Sequence, residues 1–84
     1  MSWYVYMATA RTGRYYTGIT TKPEERIAEH NNGNGSKFAV NQGPFTLSYV
    51  SDAFPDKSSA RKREVQIKRW TREKKQKLIE GKWK

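Results

Sequence analysis

Five side chains in this sequence are of types and at spacings that could do chemistry. Tyr6 and Tyr16 fall on the two arms of one expected hairpin, about equally far from its turn. Cross-strand neighbours have Cβ atoms about 4.5–5.5 Å apart, or lie one diagonal step further. The two phenols therefore meet, either as a structural tyrosine pair or as part of a reactive site. Arg26 and His30 are spaced i,i+4 and share one helix face. Ile27 beside them puts the pair at the edge of a buried stripe. Taken alone they are an ordinary helix-surface pair, but His30 is the chain's one histidine, and imidazole exchanges protons near neutral pH. Glu64 is the least expected of the five. At about 100° per residue, Ala60, Glu64, Ile67 and Thr71 form one stripe, while Arg61, Lys62, Lys68 and Arg69 face solvent around it. An inward carboxylate has to be paired or bind a metal, because an isolated buried charge is too costly. The paired alternative is a buried ion pair with an arginine such as Arg26.

The elements that would position these groups follow from pattern. Trp3, Val5 and Met7 alternate with Tyr4 and Tyr6, which predicts a strand over Trp3–Thr9. Arg11-Thr12-Gly13-Arg14 is a turn, with Gly13 free to take positive φ. Tyr15–Thr20 then forms the second arm of an antiparallel hairpin. Gly18 inside that arm weakens it, unless a backbone or ligand approaches closely there. Thr21-Lys22-Pro23-Glu24 has capping-box spacing, so a helix is expected from about Lys22 to Asn31. Phe45, Leu47 and Tyr49 alternate with Thr46, Ser48 and Val50, which predicts a third strand over Phe45–Ser51. Asp56 or Ser58 caps a helix running to about Trp70, and a shorter helix spans Arg72–Ile79 until Gly81 stops it. The expected fold is α/β in the α+β sense. A small three-stranded antiparallel or mixed sheet is flanked by helices in the order β-β-α-β-α-α.

Eighty-four residues leave room for one domain, expected over 1–84, with a basic helical region from about residue 57. Apolar residues make up 35% and charged residues 30%, a lean core that eleven aromatics (three Trp, five Tyr, three Phe) help to fill. The absence of cysteine excludes a disulfide scaffold, a cysteine-type zinc module and a thiol nucleophile. No apolar run approaches the ~20 residues of a membrane span, and the start lacks the regions of a signal peptide. A soluble, intracellular, cytoplasmic protein without membrane contact is expected. The formal charge is +9, and its distribution is uneven. Residues 1–56 hold five Lys/Arg and five Asp/Glu, whereas residues 57–84 hold twelve Lys/Arg and three Glu. That asymmetry points to a polyanion, most commonly nucleic acid, against the alternative of a lysine-rich helix kept for solubility.

Tyr4-Val5-Tyr6, followed ten residues later by Tyr16-Thr17-Gly18, resembles the two half-motifs of the GIY-YIG nuclease superfamily. Arg26-x-x-x-His30 on the next helix fits as well, as do Ala60-Arg61-Lys62-Arg63-Glu64 and Ile67-Lys68 on a later one. The resemblance runs from Trp3 to about Ile79 and is greatest to a small, stand-alone branch related to structure-specific endonucleases. Departures are visible. Tyr4-Val5 replaces Gly-Ile, Thr17 replaces Ile, and Phe38 stands where a tyrosine is expected.

The resemblance implies a metal-dependent endonuclease that hydrolyses DNA phosphodiester bonds, structure-specific in DNA repair or recombination. It implies one divalent ion held by Glu64, magnesium by preference and with manganese as a substitute, because magnesium favours carboxylate, phosphate and water oxygens. Tyr6 would orient or deprotonate the attacking water, and Tyr16 would support it. Arg26 would stabilise charge on phosphorus with its guanidinium fork, and His30 would exchange a proton. Gly18 would permit the close approach. A free phenol is only about 0.1% ionised at pH 7, so either a neighbouring cation favours the phenolate or the proton passes on to His30. Lys37, Arg61, Lys62, Lys68, Arg69, Arg72 and Lys75 are the candidate contacts to DNA, branched or single-stranded, with a larger repair protein as a further partner. The alternative is a nucleic-acid-binding module of the same fold with little or no turnover. A pure binder, though, has no use for a glutamate among those cations.

Overall fold

Val5, Tyr6, Met7 and Ala8 are buried in succession, so the strand that carries them has to be covered on both faces. In the computed structural model, which describes residues 2–31 and 44–81, that strand is β1 (Tyr4–Thr9). It lies between β2 (Tyr15–Thr20) and β3 (Thr46–Val50), and both pairings are antiparallel. The described helices are α1 (Pro23–Asn31), α2 (Lys57–Lys68) and α3 (Arg72–Ile79), which gives the expected order β-β-α-β-α-α. The hairpin turn is tight: Ala10 and Arg14 close it, and Gly13 takes φ +92°.

Successive side chains of β1 divide the core in two. Val5 and Met7 pack with Ala60 and Ile67 of α2 and Leu78 of α3, with Trp3, Ile19, Phe54 and Trp70 at the margin. Tyr6 and Ala8 pack with Ala10, with Ile27 of α1 and with Phe45, and Tyr16 and Leu47 join them. A helical layer therefore covers each face, and β2 and β3 are the edges.

Three expectations change in detail. The alternation of β3 breaks, because the register slips between Met7 and Ala8: Met7 pairs with Tyr49 but Ala8 pairs with Leu47. Ser48 is the extra residue of this bulge, and an extra residue moves everything after it to the other face. Phe45 and Leu47 consequently pack under α1 while Tyr49 faces α2 and α3, rather than all three sharing one face. At the start of α1 the hydroxyl that accepts a backbone N–H is that of Thr20, from Lys22, and not that of Thr21. The first long helix ends at Lys68, with Arg69 as its C-cap, two residues short of Trp70.

Two side chains fix the ends of helices. Asn31, the last residue of α1, donates Nδ2 to the Phe45 carbonyl at 2.9 Å and accepts from the Phe45 N–H at 2.6 Å. An amide thus does the work of a strand neighbour and ties α1 to the start of β3. Asp56 caps α2, its Oδ1 accepting from the Ser59 N–H at 2.7 Å. That backbone bond, with the Ser59 hydroxyl next in weight, holds the Asp56 carboxyl below its ordinary range. A depressed carboxylate contributes stability above its unfolded pKa and loses it as pH falls through the folded value. Asp56→Ala is therefore expected to lower the melting temperature at pH 7, with the gap to wild type closing as the pH drops below about 4, measured by circular dichroism.

Candidate active site

Tyr6 sits directly opposite Gly18, and its ring lies over the glycine. A Cβ built on Gly18 would fall 2.7 Å from the Tyr6 Oη and 2.9 Å from its Cζ and Cε1. The close approach foreseen at Gly18 is thus made by the Tyr6 phenol, and any side chain there would drive the ring away. Tyr16 pairs with Ala8, two residues along β2, so the phenols share one face at the diagonal position. The Tyr16 ring meets Phe45 edge-on, with centroids 5.4 Å apart at 83°. That contact sets its direction from the β3 side.

α1 covers this face through Ile27. Arg26, beside Ile27 in sequence, is exposed, with Nη1 at 3.7 Å from Glu29 Oε2. Exposed pairs of this kind contribute about 0–1 kcal/mol, so Glu29 is a partner that Arg26 gives up easily. His30 lies in α1 one turn further on, but its side chain, like Lys37 and Phe38, is outside the described residues.

Glu64 is 4% exposed and shares its buried stripe with Ala60 and Ile67. Its oxygens are held from the solvent side of the same helix: Oε1 by Arg61 Nη1 at 3.2 Å, and Oε2 by Lys68 Nζ at 3.5 Å. The ion-pair alternative is realised with these two cations, not with Arg26. Two of the seven candidate DNA contacts, Arg61 and Lys68, are consequently engaged with the carboxylate. Lys62 is exposed on α2 and Arg69 at its C-cap, Arg72 turns toward the hairpin, and Lys75 is half-buried on α3. Because α2 packs on the Val5–Met7 face, Glu64 and the tyrosines belong to opposite layers. α2 also lies against β2, the edge strand that carries Tyr16.

No cluster of three or more His, Cys, Asp or Glu exists among the described residues. A closed all-protein metal cage therefore does not fit. One carboxylate fits an ion that keeps most of its water and takes phosphate oxygen, as magnesium does. No helix among the described residues is long and apolar enough to cross a membrane.

In a comparison with known families, residues 2–77 match the GIY-YIG catalytic domain. The chain belongs to the GIY-YIG nuclease family, whose members generally use a divalent metal. Within it the chain is similar to small proteins designated UPF0213. It is 43% identical to one from Staphylococcus haemolyticus, covering 92% of this chain and 93% of that one. It is 41% identical to another from Halobacterium salinarum, covering 90% and 97%. The solution structure of a UPF0213 protein from Bacillus halodurans superposes with a TM-score of 0.61 at 39% identity, covering 98% of this chain and 86% of that one.

Two positioning residues escape the sequence reading: Asn31, which ties α1 to Phe45, and Tyr15, whose ring carries the Arg72 guanidinium at 4.3 Å from its centroid. In sequence the first is a helix end and the second an ordinary strand residue. An asparagine at a helix C-terminus ahead of a strand was the available signal for Asn31. The Tyr6–Gly18 contact yields a direct test. Gly18→Ala is expected to cost about 1–3 kcal/mol through overpacking and to shift the Tyr6 ring resonances, as thermal melts and aromatic NMR spectra would report.

Proposed function

We propose that this protein is a metal-dependent endonuclease that cleaves DNA phosphodiester bonds, with branched or single-stranded structures of DNA repair and recombination as its substrates. The observation that carries the reading is Glu64: a carboxylate 4% exposed on a helix whose other charges are cationic. The carboxylate of Glu64 would hold a magnesium ion, which supplies Lewis-acid polarisation of the phosphate and an activated water. Arg61 and Lys68 would then release the carboxylate and turn to the phosphates nearby. Tyr6, held over Gly18, orients the attacking water and accepts its hydrogen bond. Tyr16 supports the phenol from the neighbouring strand, and His30 takes up the proton near neutral pH. Arg26 exchanges Glu29 for the non-bridging phosphate oxygens and stabilises the charge that grows on them. The cations of α2 and α3 hold the backbone without reading sequence.

Incubation with duplex, flapped, branched and single-stranded DNA, in magnesium, manganese or EDTA, tests the reading. Wild type is expected to cleave with either metal and not in EDTA. Glu64→Gln is expected to abolish cleavage while DNA affinity stays equal or rises, since a negative charge near phosphate is removed. Full cleavage by a folded Glu64→Ala protein would sink the assignment. Salt-dependent DNA binding by wild type with no cleavage in either metal would favour a binding module instead.

The tyrosines and the arginine are separable by kinetics. Tyr6→Phe is expected to lower kcat by roughly 10²–10⁴-fold, the range of acid–base groups, with little change in melting temperature. Tyr16→Phe should be milder. Arg26→Lys should lose far more turnover than affinity, because lysine keeps the charge but not the planar fork.

A further inference from the structure

At the turn end of β2 a concave site of about 230 Å³ is lined by Arg14, Tyr15, Tyr16, Arg72 and Lys75. Tyr15 and Tyr16 are adjacent on a strand and point to opposite faces, yet both line it. The cleft therefore sits on the outer edge of β2, where the two layers meet. It contains three cationic residues and no acid. Among the described residues Arg14, Arg72 and Lys75 form no ion pair, in contrast to Arg61, Lys68 and Lys77, each of which has a glutamate.

Arg72 is placed there by two contacts. Its Nη1 donates to the Gly13 carbonyl at 2.8 Å, and its guanidinium lies over the Tyr15 ring at 4.3 Å from the centroid. The left-handed φ of Gly13 belongs to the turn that presents that carbonyl to α3. A guanidinium braced on one donor and one face keeps its remaining donors in a fixed plane, which suits the oxygens of a phosphate. Little side-chain entropy is then left to lose on binding, the cost that weakens most surface contacts.

We infer that the cleft formed by Arg14, Tyr15, Arg72 and Lys75 binds one backbone phosphate of a nucleic-acid strand, beside Tyr16 and next along the strand from the phosphate proposed to be cleaved, and so carries that strand around the edge of β2 from one layer to the other. The inference rests on the proposed action on nucleic acid and adds where the strand runs. It makes Arg72 the anchor of the path, and it assigns Arg14, far in sequence from the basic helices, a place on it. It also accounts for the cleft's lack of any carboxylate, which an ordinary solvated surface does not need.

An NMR titration of backbone amides with a short single-stranded oligodeoxynucleotide, in EDTA at low salt, separates this inference from the nuclease reading. The expected result is that amides of residues 13–16 and 72–75 shift with the same saturation curve. Arg14→Gln, Arg72→Gln and Lys75→Gln should each weaken binding and flatten the slope of log affinity against log salt, and the three together should flatten it by about 0.7, the single-strand value for one phosphate contact. Arg72→Lys should also weaken binding, because one ammonium cannot donate to the Gly13 carbonyl, lie flat on the Tyr15 ring and hold phosphate oxygens at once. Since Arg72 also ties the turn, Arg14→Gln and Lys75→Gln carry the test if Arg72 variants melt early. Shifts confined to α2, with slopes unchanged in the Arg14 and Lys75 variants, would overturn the cleft and leave the nuclease reading standing. Absence of binding anywhere at low salt would overturn both.

Discussion

Central strand β1 is the constraint on which the rest of the molecule depends. With Val5, Tyr6, Met7 and Ala8 all buried, it needs an apolar layer on each face and a hydrogen-bonded neighbour on each side. Neither layer alone could hold it. Losing α1 would expose the Tyr6–Ala8 side, and losing α2 and α3 would expose Val5 and Met7. The same two-sided burial makes the position of Tyr6 rigid, since its strand cannot slip without turning every side chain inside out. The Tyr6 phenol is thus mounted on the least movable element of the sheet.

Against that frame the polar groups are arranged by how readily they let go. The Tyr6 ring is packed and stays. The Arg26–Glu29 pair is exposed and weak, and it can be traded for a phosphate at little cost. Glu64 lies between these cases. Its carboxylate is buried, but the cations that hold it come from the solvent side with half their side-chain surface exposed. Charge is stored at Glu64 in a form that a stronger partner can displace, because the competing ligands lie outside and the carboxylate stays where Ala60 and Ile67 put it.

Much of this architecture is legible in the sequence where local pattern and tertiary demand agree. The hairpin, the Asp56 cap, the span of α3 and the buried stripe of Glu64 all follow from period, turn chemistry and capping. The failures have a common origin in long-range geometry. A bulge at Ser48 has no signature in the alternation of β3, because only the mismatch with β1 demands it. The partners of Glu64 depend on rotamers at Arg61 and Lys68, so charge counting cannot choose them over Arg26. Thr17, which stands where the family pattern has isoleucine, has a buried hydroxyl with no hydrogen-bond partner among the described residues. Sequence shows that substitution but not its cost, which depends on what packs around it. Tyr15 and Arg72 are 57 positions apart, and nothing in either segment announces their stacking.

The Asn31–Phe45 clasp has a consequence for how such a chain can change. By fixing both ends of the intervening stretch with two side-chain bonds, it separates the path between them from the register of β3. The two bonds hold Phe45 against the end of α1, so the register of β3 is set at the clasp itself. The clasp is in that sense a splice point. A lineage could append a recognition element there, or an engineer could graft one, without disturbing the strand that carries Tyr6.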